Sequence, residues 1–149
     1  MQVITSQHPR SILLGAQAAQ AGLPVCDHYC GVMPRMLKSL ALQRELRDVY
    51  GACVFDVTLD CEDGAPVGGE VVHAQAIADL LNDQQPAKAG LRVGVRLHAL
   101  SADGHFESDA RIILSVAAGQ LAYVMIPKVE SVADVDTACA VIDAAAVTT

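Results

Sequence analysis

Tryptophan is missing from this chain, and aromatic residues make up only 3% of its 149 positions. Because 52% of the residues are hydrophobic and the mean hydropathy is +0.35, the interior must be filled by Ala, Val, Leu and Ile. A core of that kind suits parallel strands covered by helices. Any run or stripe of basic residues is also missing, while the formal charge is −7 and the isoelectric point is near 5.0. Such a surface repels a phosphate backbone, so nucleic acid is not an expected partner. No apolar run approaches the length needed to cross a bilayer, and no membrane association is expected. Arg10 to Ala16 has the look of an export signal, but Gln17 and Gln20 cut its apolar core short, and residues 1–24 read as a lead segment beginning with a helix. Cys-x-x-Cys is absent, and the five cysteines are odd in number, which fits reduced thiols in a cytoplasm better than a disulfide framework. Cys26, His28 and Cys30 would share one face of a strand, yet a structural zinc site wants four ligands, so they read as ordinary small and polar residues.

What is present is a rhythm. Apolar runs of strand length recur at 25–32, 54–59, 92–97 and 122–126, each followed by a helix-like segment. The first predicted helix opens at Pro34 and carries a stripe of Met36, Leu37, Leu40, Leu42, Leu46 and Val49. The second spans Val71 to Leu81. The third runs from Ser108 to Ala118, with Gly119 as its expected stop. The fourth opens on Ser131-Val-Ala-Asp134, a variant of the capping box, and continues to about Ala146. Spacing of about thirty to forty residues is that of βαβ units with right-handed crossovers. A doubly wound sheet and a (β/α)₈ barrel both follow from such alternation. Gly64 to Gly69 does not match the dinucleotide fingerprint, because its spacing is wrong and Pro66 interrupts it. The barrel is favoured, and residues 25–149 then read as a partial TIM-barrel domain, the N-terminal half with four βα units, since a whole barrel takes roughly 250 residues. A half barrel is expected to leave two unpaired edge strands and open apolar interior surface.

The strand ends carry the chemistry. The run from Val54 to Leu59 leads into Asp60, Glu62 and Asp63; Leu91 to Val95 leads into Arg96; and Ala122 to Ile126 leads into Lys128 and Glu130. In a barrel, reactive groups lie at those C-terminal ends. Carboxylates beside a guanidinium are what a hard divalent cation and an anionic carbonyl substrate require together: Mg²⁺ takes oxygen ligands, and Arg binds a carboxylate or stabilises an oxyanion.

Three segments resemble the citrate lyase β-subunit-like members of the HpcH/HpaI aldolase group, which includes citryl-CoA and malyl-CoA lyases. Asp60-Cys-Glu-Asp-Gly-Ala65 is similar to that family's D-L-E-D-A-V, Val95-Arg96-Leu97 falls where its third strand carries a substrate-binding Arg, and Ile126-Pro-Lys-Val-Glu-Ser131 is similar to its L-P-K-V-E-S. The order and separation agree over about residues 25–146. The resemblance implies a carbon–carbon lyase that cleaves a 3-hydroxyacyl-CoA to an acyl-CoA and a 2-oxo acid with Mg²⁺, or Mn²⁺ in its place. It implies Glu130 as a metal ligand, Glu62 holding the metal through water, and Arg96, Glu62 and Asp63 as the catalytic set. Arg96, Arg35 and Lys128 would contact the substrate, and a homo-oligomer is expected. The family's Pro-Gly-rich first-strand ending is replaced here by Tyr29-Cys-Gly-Val-Met-Pro-Arg35. Its second metal ligand would fall beyond Thr149, so the 149 residues alone are expected to be inactive.

Other readings of the same residues stand beside this one. A metal-dependent aldolase of free 2-keto-3-deoxy acids would use the same groups without CoA, and a non-catalytic half-barrel would only pair with a complementary half. Glu62, Asp63 and Glu130 could be acids near helix N-termini. Asp60 could orient nearby backbone, Arg96 could be the internal partner of those acids, and Lys128 could form an ion pair behind the site. His28, His73, His98 and His105 lie at no triad or metal spacing and read as satisfied polar residues.

Overall fold

The computed structural model describes residues 26–101 and 103–146; the lead segment expected at 1–24 lies outside them. Four parallel strands form one sheet in sequential order: β1 (Asp27–Cys30), β2 (Asp56–Asp60), β3 (Val93–Arg96) and β4 (Tyr123–Met125). Between them run α1 (Met33–Tyr50), α2 (Glu70–Gln84) and a composite third helix, and α5 (Val132–Ala146) follows β4. The composite begins as α3 (His105–Asp109), widens into a π-turn at Ala110–Leu114, resumes as α4 (Ser115–Ala117) and ends in a 3₁₀ turn at Ala118–Gln120. Each expected βα unit is therefore present. Among the described residues no helix is long and apolar enough to cross a membrane.

The sheet has two unlike faces. Val57, Leu59, Val93, Val95 and Leu97 are fully buried with Ile77, Leu81, Phe106 and Ile113 from the helices. Each such aliphatic side chain contributes about 1.5–3 kcal/mol on removal from water. Alternation sends the intervening residues to the opposite face, and there the surface is not apolar, contrary to expectation. The Thr58 hydroxyl donates to Asp27 Oδ2 at 2.7 Å and lies 2.7 Å from the Tyr123 hydroxyl. Arg92 Nε donates to Asp56 at 3.0 Å. Gly94, the neighbour of Tyr123 across β3 and β4, leaves room for that ring; a Cβ there would lie 2.1 Å from it.

Helix ends follow local chemistry. Pro34 occupies the first turn of α1, where its missing N–H is not needed. The expected stripe of that helix is buried only in part: Met36 and Leu40 are fully covered, while Leu37, Leu42 and Val49 are exposed and Ser39 and Gln43 are buried instead. Gln43 goes inside because its amide donates to Phe55 O at 2.8 Å and Arg92 O at 2.9 Å, tying α1 to the chain entering β2 and β3. Gly119 is not a left-handed helix stop, since it lies within the 3₁₀ turn and has no positive φ. The capping box forms as read: Asp134 N donates to Ser131 Oγ at 3.2 Å, and Ser131 N donates back to Asp134 Oδ2 at 2.9 Å.

Candidate active site

The end of β2 sets the site. Asp60 stands directly beside Arg96 in the register of β2 and β3, and its side chain is only 1% exposed. Arg96 Nε donates to Oδ1 at 2.9 Å and Nη2 to Oδ2 at 2.7 Å, a bidentate fork. Two backbone donors complete the carboxylate, Glu62 N at 2.9 Å and Gly64 N at 2.8 Å. Burial pushes the Asp60 pKa up, but the Arg96 hydrogen bonds and the two backbone N–H groups outweigh it and hold the group below the usual carboxylate range. With four donors on its oxygens, Asp60 has no lone pair left to offer a metal. It positions Arg96 and the turn that follows.

Arg96 is fixed from below as well, because its guanidinium lies 5.1 Å from the centroid of the Tyr29 ring. Tyr29 in turn donates its hydroxyl to Met125 Sδ at 2.8 Å, crossing from β1 to β4 beneath the site. Only Nη1 of Arg96 is uncommitted to Asp60; it lies 3.4 Å from Glu62 Oε2 and 3.6 Å from Asp63 Oδ2. Lys128, beyond β4, brings Nζ to 3.0 Å from Glu62 Oε1 and 3.2 Å from Asp63 Oδ1. Residues from three strand ends therefore meet, which is the juxtaposition expected from sequence. Glu62 and Asp63 are not helix-capping acids, because α2 begins only at Glu70. Glu70, its first residue, turns its carboxylate back onto the entering turn, accepting from Gly68 N at 2.8 Å and Gly69 N at 3.0 Å.

Glu62 is the most constrained of these acids. Its side chain is 8% exposed, and Oε2 has no hydrogen-bond donor among the described residues, Arg96 Nη1 being too poorly placed. A buried acceptor left open in this way suits a cation or its bound water. Glu130 is exposed on a cleft of about 240 Å³ that it lines with Ala99, Leu100, Pro127, Lys128 and Asp134. Arg35 is exposed in the first turn of α1 and forms no ion pair with a described residue. Among the described residues, no three His, Cys, Asp or Glu side chains gather into a metal-holding group, so Glu62, Asp63 and Glu130 do not by themselves make a closed site. The open carboxylate of Glu62, reached by Lys128 two residues before Glu130, fits Mg²⁺, which keeps several waters and takes one or two carboxylates from protein.

Tyr29, Asp27, Thr58 and Tyr123 were not singled out as site residues from sequence; their signal was the polar residues within β1, β2 and β4. The same is true of a second buried carboxylate. Asp109 is 1% exposed and accepts from His98 N at 3.0 Å and from His98 Nδ1 at 2.6 Å. Burial raises its pKa, and the His98 hydrogen bonds offset part of that shift. Cys61 is buried, and that burial pushes its thiol well up, away from the reactive thiolate form. His73 reaches the Asp60 carbonyl at 2.9 Å, and His98 and His73 are thus satisfied histidines. Cys26 and His28 are exposed while Cys30 is buried, its thiol directed at Thr58 O, 3.7 Å away.

No family model matches the chain, and no curated protein matches it. A solved structure does: a citrate lyase from Burkholderia xenovorans LB400, at 44% sequence identity and a TM-score of 0.69 over 83% of this chain. The chain belongs to the citrate lyase β-subunit-like family. It spans 36% of the length of that solved relative.

Proposed function

We propose that these residues form part of the active site of a Mg²⁺-dependent carbon–carbon lyase that cleaves a 3-hydroxyacyl-CoA to an acyl-CoA and a 2-oxo acid. The observation that carries the proposal is the Asp60–Arg96–Glu62 cluster. It holds one guanidinium rigidly, with Nη1 turned toward a nearly buried carboxylate that has an open oxygen. Three carboxylates, Asp60, Glu62 and Asp63, face two cations, Arg96 and Lys128, so the cluster as it stands repels an anionic substrate. Glu130 and Glu62, the latter through water, would hold the metal. A bound Mg²⁺ would reverse that repulsion and polarise the 2-oxo acid carbonyl. Arg96 Nη1 would donate to the substrate carboxylate or carbonyl oxygen. Asp60 and the Tyr29 ring keep it from turning away, which limits the reorganisation needed when charge develops there. Lys128 and Arg35, both exposed, are the further cations for the substrate's anionic groups. The four sequential parallel strands are, in this reading, half of a (β/α)₈ barrel, and the polar inner face would pack against the other half.

A substrate panel tests the assignment. The chain, combined with the complementary half of a homologous barrel and Mg²⁺, is incubated with malyl-CoA, with citryl-CoA and with a free 2-keto-3-deoxy acid, and the products are followed by mass spectrometry. Release of acetyl-CoA with a 2-oxo acid from either thioester, lost on chelation, is the expected result. Turnover of the free acid alone would transfer the site to the aldolase reading. Among the described residues β1 and β4 each have one neighbouring strand, which favours the second reading of an assembly partner. That reading holds if neither substrate class is cleaved and the chain instead forms a stoichiometric complex with the complementary half of a homologous barrel.

A further inference from the structure

Resting on the metal-dependent reading above, we infer that Lys128 is a built-in counter-ion for Glu62 that a divalent cation must displace, and that the displaced ammonium then serves the anionic substrate. Two cations approach Glu62, and they differ in freedom. Arg96 is committed to Asp60 through two hydrogen bonds and rests on the Tyr29 ring. Lys128 is tethered only by Glu62 at 3.0 Å and Asp63 at 3.2 Å, and its side chain is 58% exposed. An exposed ammonium is rehydrated as it leaves, so on the lysine's own side withdrawal costs little. The carboxylate it would leave is different: Glu62 is more than nine-tenths buried, with Oε2 already lacking a donor. Removing Lys128 without replacement strands a buried anion, whereas a divalent cation replaces the lost charge and more.

The backbone points the same way. Lys128 has φ +54, one of two non-glycine residues among those described that adopt the left-handed region. Such a conformation is strained for a residue with a Cβ and persists where the surroundings demand it. Here it directs a side chain from the end of β4 back to the turn after β2, sixty-five residues earlier in the chain. Lys128 also lines the cleft shared with Glu130, so an ammonium leaving Glu62 has an open, polar place to go. Metal and substrate binding become linked through one side chain: the cation frees Lys128, and the freed charge favours the anion.

The test is Mn²⁺ binding followed by electron paramagnetic resonance on the full chain, with pyruvate as the 2-oxo acid probe. Lys128→Met should bind Mn²⁺ several-fold more tightly than the wild type, because the competitor is gone. The Mn²⁺-loaded variant should bind pyruvate several-fold more weakly by calorimetry. Opposite signs for the two ligands are not produced by a merely structural lysine. Lys128→Arg, which retains a cation and guards against a packing defect, should bind Mn²⁺ no more tightly than the wild type, and Glu62→Gln should bind it more weakly. If Lys128→Met leaves Mn²⁺ affinity unchanged or lowers it while Glu62→Gln weakens binding, the displacement is wrong and the metal site stands. If neither the wild type nor Lys128→Met binds Mn²⁺, both fall together.

Discussion

Four donors converge on the Asp60 carboxylate, and the placement of Arg96 depends on that convergence. Asp60→Asn keeps the shape but removes the charge and sets an amide N–H₂ against the guanidinium. Breaking a buried pair in this way costs about 3–5 kcal/mol, to be read from urea unfolding. The same residue governs the acid limb of stability. Its folded pKa lies below the value of about 3.9 for a free Asp, so its contribution is present above that value and is lost as pH falls through the folded pKa. Asp109, held above the usual range by burial, has the opposite sign: its contribution belongs to the protonated form and is lost as pH rises through its folded value. Urea midpoints measured from pH 6 down to pH 2 should fall less steeply in Asp60→Asn than in the wild type; an identical slope would remove Asp60 from this role. At this scale the acids and the arginine were legible because they sit where apolar runs end. That Arg96 pairs with one of these acids was an alternative reading; that the acid is Asp60, held in a fork, depends on register, because residues thirty-six apart become neighbours only when β2 and β3 align.

Element boundaries were readable where a local rule decides them and unreadable where packing does. Ser131 and Asp134 cap α5 reciprocally, as their spacing requires, and Ser131→Ala should lower stability by about 1 kcal/mol in the same unfolding assay. By contrast, the stripe on α1 reads as if six apolar residues faced inward, yet Gln43 is buried with two carbonyls as acceptors. The π-turn at Ala110–Leu114 has no periodic signature of its own, although it follows the residue, Asp109, that meets His98. Gly31 shows how tightly the elements close around the site. A Cβ there would lie 1.9 Å from Gly64 O, the backbone of the turn whose N–H binds Asp60. Gly31→Ala therefore must move the turn after β2, at a cost of about 1–3 kcal/mol. Thermal unfolding should show the loss, and an unaltered transition would mean that the two turns are not in contact.

Across the whole molecule, one face of the sheet was foreseeable and the other was not. Strands rich in Val and Leu announce the helix-covered side, where Val57, Leu59, Val93 and Val95 are completely buried. The inner face was expected to be apolar because a half barrel would leave its interior surface open. Its residues are instead Asp27, Asp56, Thr58, Arg92 and Tyr123, which hydrogen-bond to one another across the sheet. Alternating residues had been averaged together in a hydrophobic run, and only pairing separates them. That polar face leads upward to Tyr29, Asp60 and Arg96, so the layer beneath the site is part of what holds its charges in place. Crystals soaked in Mn²⁺ and pyruvate, with data collected at the manganese edge, test this account most directly. The account predicts one anomalous peak bound by Glu130 and faced by Glu62 Oε2, directly or through water, with pyruvate between it and Arg96 Nη1. A peak elsewhere, or pyruvate bound away from Arg96, would contradict it.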